Sequence, residues 1–241
     1  MERLQKFIAS SGICSRRKAE ELIKMGKVEI DGEIVTELGV KVSGKESIIV
    51  DGEILKKEDK EYYLLNKPRE VITSCSDDKN RKTVVDLIDT DSRIYPVGRL
   101  DYDTTGVLLL TNDGEFANIM MHPNNKIDKV YIAKIRGIIK GDAINKLKNG
   151  VVIDGKKTEK SRVKLRKTDL KTNSSIVEIT IHEGRNHQVK KMFEEVGFEV
   201  LKLKRERVGI FTLQGLTSGD YRRLSPKEVA KIYALSKQKN G

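Results

Sequence analysis

Gly98-Arg99-Leu100-Asp101-Tyr102-Asp103-Thr104-Thr105-Gly106 runs without a break into Val107-Leu108-Leu109-Leu110-Thr111. The first part reads as a loop between glycines, with an arginine close to an acidic residue. The second is wholly apolar until Thr111 and reads as a strand buried in a sheet. A carboxylate held on a loop by a rigid buried strand is well placed for chemistry. Outward from this strand, further strands are expected at 62–65, 130–136, 175–182 and 199–203. Helices are expected at 83–88, 114–121, 141–149, 187–196 and 226–236. Strands and helices mix without regular alternation, so the fold class is α+β with a mixed, largely antiparallel sheet.

The chain has 241 residues, room for one large domain or two unequal ones. Its 47 Lys/Arg against 36 Asp/Glu give a net charge of +11, which favours a polyanionic partner, nucleic acid before membrane surface. No run is long enough to span a membrane. The start, Met1-Glu2-Arg3-Leu4-Gln5-Lys6, lacks the apolar core of a signal peptide. Cys14 and Cys75 are too far apart for a CxxC motif and read as reduced thiols of a cytoplasmic protein. His122, His182 and His187 do not have zinc-ligand spacing, so no metal site is expected.

The first sixty residues have a pattern of their own. Leu4, Phe7 and Ile8 fall on one face of a short helix over 3–11 that Gly12 ends. Ser15 is placed to cap a second helix, Arg16 to Met25, with Ala19, Leu22 and Ile23 inward. Val28 to Val35 alternates around Asp31-Gly32, a hairpin signal that Ile49 to Ile54 repeats at Asp51-Gly52. Residues 1–27 hold seven Lys/Arg against three Asp/Glu, a net of +4. Residues 28–60 hold five against nine, a net of −4. Positive charge thus gathers on the helices, where Arg16, Arg17 and Lys18 would meet a phosphate backbone. The order Ser-Arg-Arg-Lys-Ala-Glu-Glu-Leu-Ile, then Gly-Lys-Val-Glu-Ile-Asp-Gly, resembles the S4 RNA-binding module over about residues 2–55. The charged run Lys56 to Glu61 is expected to be a structureless, mobile linker between domains at 1–57 and 61–241.

From the loop alone, a turn-capping Asp101 and a catalytic one are equally open. A calcium loop fits Asp101, Asp103, Thr105 and Gly106 but fails at Asn112, where a bidentate glutamate is needed. Asp101 and Asp103 also make a poor glycosidase pair, because neighbours two apart do not flank a scissile bond. Four stretches taken together decide more. They are Asn66-Lys67-Pro68, the Gly98–Gly106 loop, Lys129-Val130-Tyr131, and Glu183-Gly184-Arg185-Asn186-His187-Gln188-Val189-Lys190-Lys191-Met192. In this order the chain resembles pseudouridine synthases of the RsuA/RluB type over nearly all of residues 1–235, most of all the branch that modifies large-subunit ribosomal RNA.

That resemblance implies a cofactor-free isomerisation of uridine to pseudouridine in ribosomal RNA, 23S rRNA or a large-subunit precursor, in an active-site cleft. Asp101 would be the nucleophile, at the sugar C1′ or at uracil C6. Tyr131 would stack on the flipped base and help remove the C5 proton. Arg185 would pair with Asp101, and Leu203 would pack against the base. Arg99 would contact RNA or fill the gap left by the flipped nucleotide, and Lys67 is placed among the substrate-binding residues. Such roles are physically coherent, since a nearby guanidinium keeps a carboxylate ionised and a flipped pyrimidine wants an aromatic and an apolar face. Lys67-Pro68-Arg69 departs from the family's Lys-Pro-x-Gly, with Glu70 at the glycine position. Lys202, Lys204, Arg205 and Arg207 give one strand a basic face, either solvated or tracking phosphate. A monomer is expected. A non-catalytic RNA-binding assembly factor on the same fold is the alternative.

Overall fold

A computed structural model describes residues 1–56 and 58–237. Lys57, inside the stretch read as a linker, and residues 238–241 lie outside the described residues. The chain forms two compact units. The first comprises Met1–Glu61, Asp89–Tyr95 and Thr111–Gly114, and the second Tyr62–Ile88, Pro96–Leu110 and Glu115–Gly241.

In the first unit, helices α1 (Leu4–Ser10) and α2 (Arg16–Lys24) pack on a small antiparallel sheet of strands 33–34, 28–30, 48–50 and 53–54. Leu4, Ile8, Ala19, Ile23, Val28, Val42, Ile48 and Val50 form its core, the helical members at the spacing expected from the sequence. Ser15 caps α2 by accepting a hydrogen bond from Lys18 N at 3.2 Å. Both Asp-Gly turns are of the left-handed two-residue kind: Asp31 and Asp51 have φ 51°, and Gly32 and Gly52 have φ 87°.

The charged residues 58–61 are irregular, as expected, but they are tied down. Lys60 pairs with the buried Asp113 carboxylate at 3.0 Å. Glu61 N donates to Asn112 Oδ1, and Thr111 Oγ1 donates to Glu61 O. Charge alone suggested a mobile tether, but these partners lie some fifty residues away in sequence and local composition does not disclose them.

The second unit is built on one sheet. Its main strands are β1 (Tyr62–Lys67), β2 (Thr105–Thr111), β3 (Lys129–Arg136), β4 (Arg162–Asp169), β5 (Ser174–Ile181), β6 (Val200–Val208) and β7 (Tyr221–Arg223). They lie in the order β4-β5-β3-β6-β2-β1-β7, with two short strands appended. β6 and β2 pair in parallel, while β4–β5, β5–β3, β3–β6 and β1–β7 are antiparallel. The sheet is therefore mixed and largely antiparallel, as the α+β reading required. Helices α3 (Gly114–Met121), α4 (Gly141–Asn149), α5 (Gln188–Glu195) and α6 (Pro226–Lys237) complete the elements. Among the described residues no helix is long and apolar enough to cross a membrane.

Three local expectations change. Instead of a helix at 83–88 there is one 3-10 turn, Val85–Leu87. Asp86 accepts hydrogen bonds from Thr83 N and Oγ1, and the β-branched run Thr83-Val84-Val85 propagates a helix poorly. The strand at 199–203 continues to Val208, paired with β3 along that length. Strands β4 and β7 have no counterpart in the expected elements.

Gly106 fixes how β2 meets β6. Its φ is +109°, and a Cβ there would stand 2.1 Å from Arg205 O. No side chain can occupy this crossing without moving one strand.

Candidate active site

Asp101 sits on the loop just before β2, and that loop is pinned from below. The carbonyl of Leu100 accepts from Thr73 Oγ1 at 2.6 Å, and Leu100 N donates back to the same hydroxyl. Tyr102 O accepts from Glu70 N at 2.8 Å. Glu70 adopts φ +61°, so the departure from Lys-Pro-x-Gly is met by a glutamate held in the glycine-type conformation.

Lys67, at the end of β1, does most of the pinning. Its side chain is fully buried, and its ammonium donates to the carbonyls of Pro68, Asp101 and Thr104 at 3.0, 3.2 and 3.1 Å. The resemblance assigns Lys67 to substrate binding, but it does not line the cleft, and its ammonium is bound to the underside of the Asp101 loop. Burial lowers its pKa from 10.5 to about 8, despite the pull of Asp103 and Asp101. The native chain then gives up this proton before the unfolded chain does. From about pH 8 to the ordinary lysine value, this group makes unfolding harder as pH rises, while the neutral amine has fewer hydrogens for the loop. Turnover is expected to fall above about pH 8 without a matching fall in thermal stability. Rate profiles and melts recorded on the same buffers check this, and parallel loss of both would refute it.

Above the loop opens a cleft of about 680 Å³, ample for one flipped nucleotide. Asp101, Tyr131, Arg185, Arg99 and Leu203 all line it. Tyr131 and Leu203 come from adjacent strands: Ala133 pairs with Leu203 and Tyr131 with Arg205, so all four residues share the cleft face. Tyr131 and Leu203 are nearly buried, and Arg99 is exposed at the rim. Arg16, Arg17 and Lys18 belong to the other unit, exposed on α2; Lys18 is paired with Glu21 at 2.9 Å.

The cation beside Asp101 is Lys190, not Arg185. Lys190 Nζ lies 3.2 Å from Asp101 Oδ2 and 2.6 Å from Asp103 Oδ1. His187 Nδ1 is 3.8 Å from the same Asp101 oxygen. Arg185 instead binds Glu183 at 3.1 Å and the carbonyls of Lys156 and Lys157 at 2.8 and 2.7 Å. Its guanidinium ties the 183–188 turn to a hairpin, leaving the expected pairing with Asp101 unmade. Burial pushes the Lys190 ammonium down, and hydrogen bonds to Asp103 and Asp101 more than reverse it, so its pKa stands above the usual lysine value. For Asp103 burial acts upward and the Lys190 hydrogen bond outweighs it, leaving the carboxyl below its ordinary value. Lys190→Gln is expected to lower kcat about 10²-fold, with Lys190→Arg recovering most of it. Equal rates for wild type and Lys190→Gln would remove it from the chemistry.

Lys190 stood in a quoted motif, yet two adjacent lysines begin α5 and only the fold separates them. Val189, Met192 and Phe193 bury one face of the helix, which turns Lys190 to Asp101 and Asp103 and Lys191 to Asp154 at 2.7 Å. Two other basic residues of the sheet line the cleft, Lys129 from a quoted motif and Arg205, which the sequence pattern sets on one basic face with Lys202, Lys204 and Arg207 but which the register turns to the opposite face. Arg205 is buried and donates from Nε to Val107 O at 2.8 Å. Lys129 donates to His182 O at 3.0 Å, and burial followed by the nearby Arg205 lowers its pKa. Composition could not single them out, since Arg205 stands in the charged run Lys204 to Arg207 and Lys129 opens a strand that also holds Lys134 and Arg136.

The family model described as RNA pseudouridylate synthase matches residues 61–195, and that of the S4 domain matches residues 2–49. Ribosomal large subunit pseudouridine synthase B of Bacillus subtilis is 54% identical over 237 residues, 98% of this chain and 97% of that protein. The dual-specificity RNA pseudouridine synthase RluF of Escherichia coli is 34% identical over 236 residues, 97% of this chain and 79% of that protein. A crystal structure of a pseudouridylate synthase superposes with a TM-score of 0.67 at 31% identity, covering 96% of this chain and 100% of that one.

Proposed function

Since the chain belongs to the RNA pseudouridylate synthase family, we propose that it isomerises a uridine of large-subunit ribosomal RNA, with Asp101 as nucleophile. The observation that carries this is one carboxylate on a pinned loop, 3.2 Å from a lysine, in the same cleft as Tyr131 and Leu203. The flipped uracil packs between the tyrosine ring and the leucine side chain. Asp101 adds to the nucleotide and the N1–C1′ bond breaks. The freed uracil turns, C5 bonds to C1′, the bond to Asp101 breaks to return the carboxylate, the C5 proton departs and N1 takes one up. Atoms and electrons balance with proton movements alone. Lys190 orients the Asp101 carboxylate from 3.2 Å, and Tyr131 lies over the base near C5.

The S4-type unit supplies affinity through α2. Arg16→Glu together with Arg17→Glu is expected to weaken RNA binding and lower the slope of log K against log salt by about 1.5. Unchanged slopes would show that α2 does not touch RNA.

Substrate choice is tested by tritium release from [5-³H]uridine-labelled transcripts of 23S and 16S rRNA. Release from the 23S transcript alone is the expected result. Release from 16S alone would overturn the large-subunit assignment while leaving the chemistry intact. Release from neither, with RNA still bound, would favour an assembled particle as substrate.

A further inference from the structure

Strands β4, β5, β3 and β6 present a second face, opposite the one that carries Tyr131 and Leu203. Their registers align it in rungs. One rung runs Lys167–Ile176–Lys134–Lys202, the next Lys164–Glu178–Ile132–Lys204, the third Arg162–Thr180–Val130–Arg207. Seven cations thus share three rungs with one carboxylate. With strands about 4.8 Å apart and same-face residues about 6.8 Å apart, the grid spans roughly 14 by 14 Å.

The three arginines of this region are partnered. Arg162 and Arg207 face Asp128, and Arg166 at the β4 bulge pairs with Glu178. Glu206 is the further acid at a cavity of about 660 Å³ that Arg162, Arg166, Lys204 and Arg207 help line. Lys134, Lys164, Lys167, Lys202 and Lys204 have no carboxylate within ion-pair distance among the described residues. Lys164, Lys202 and Lys204 are exposed. Lys134 stands directly across from Lys202, an arrangement that destabilises a sheet. Folding gains nothing from it, and solubility needs no such alignment. The rungs carry no aromatic ring that could stack on a base, which suits contact to phosphates rather than reading of sequence.

We propose that this face is a second RNA surface, which binds the phosphate backbone of RNA lying outside the segment held in the cleft. This rests on the reading that the cleft takes ribosomal RNA. RNA long enough to pass around the β4 edge of the sheet engages both faces, while a short stem-loop engages only the cleft. Extended substrates are therefore held more tightly, in a salt-dependent and sequence-independent way.

The test compares wild type with a Lys134→Gln, Lys164→Gln, Lys202→Gln, Lys204→Gln variant on two RNAs. One is a 23S transcript that wild type converts, the other the shortest stem-loop cut from it that is still converted. The variant is expected to bind the long RNA about tenfold or more weakly, with a salt slope reduced by about 2 to 4. Turnover of the stem-loop should stay within twofold, and four Lys→Arg replacements should restore long-RNA affinity. Equal affinity and slope on the long RNA would overturn the proposal. So would the same loss on both RNAs, which would place these lysines on the target segment. Unchanged RNA binding with lost affinity for anionic vesicles would point to a membrane surface and would overturn it too. If wild type converts no large-subunit RNA, neither transcript nor assembled particle, the reading of the cleft fails, yet the salt slope of binding to a 23S transcript still decides this face.

Discussion

Asp101→Asn is expected to reduce kcat/KM by ~10⁴-fold or more while leaving the fold and RNA affinity nearly unchanged. An amide has the shape of the carboxylate but no charge to attack with, so the covalent step is lost outright. Stability should barely move. The loop is held through backbone carbonyls bound by Lys67, Thr73 and Glu70, none of which involves the Asp101 carboxylate. Lys190 keeps its shorter bond to Asp103. The Asp101–Lys190 pair is about a quarter exposed on both sides, so its loss costs little. Removing one negative charge beside a polyanion should, if anything, tighten binding. Single-turnover tritium release with enzyme in excess separates chemistry from binding. A rate within tenfold of wild type would exclude Asp101 as nucleophile.

Much of the scaffold was legible because its signals are local. Asp31-Gly32 and Asp51-Gly52 each need left-handed backbone at two successive positions, and few residue pairs other than Asp-Gly accept it. Ser15 announced α2 through one side-chain oxygen. Val107 to Leu110 announced β2 because a strand covered on both faces can be uniformly apolar. Strand β4 was illegible for the opposite reason. Arg162-Val163-Lys164-Leu165-Arg166-Lys167 is charged at most positions, and what makes it a strand is the pairing offered by β5. The basic continuation of β6 to Val208 escaped notice for the same cause.

In the site, the aspartate could be read and its partners could not. A nucleophile is marked by its loop, which is contiguous in sequence. The identity of the cation beside it depends on where competing acceptors lie. Arg185 is drawn to carbonyls at 156 and 157, almost thirty residues upstream, and the vacancy goes to Lys190, one turn further along. A lysine in the Asn66-Lys67-Pro68 stretch likewise suggests a ligand contact until the fold shows it sealed under the loop.

That sealed lysine gives the second large effect. Lys67→Met is expected to destabilise the catalytic unit by about 3 kcal/mol, lowering its melting temperature by roughly 6–12 °C. The methionine fills nearly the same volume, so packing changes little. What is lost is the donor set for the carbonyls of Pro68, Asp101 and Thr104, each buried near a side chain that is itself fully enclosed. Leaving such acceptors unmet costs ~1 kcal/mol or more apiece. Because one of the three is the nucleophile's own carbonyl and another lies three residues on in the same loop, turnover should fall at temperatures where the variant is still folded, and kcat should fall more than KM rises. Lys67→Arg does not rescue, since a planar guanidinium cannot aim three hydrogens at one cluster of carbonyls in a cavity shaped for an ammonium. Thermal melts with single-turnover rates below the melting range check both halves. A variant as stable and as fast as wild type would mean that the hydrogen bonds from Thr73 and Glu70 hold the loop by themselves.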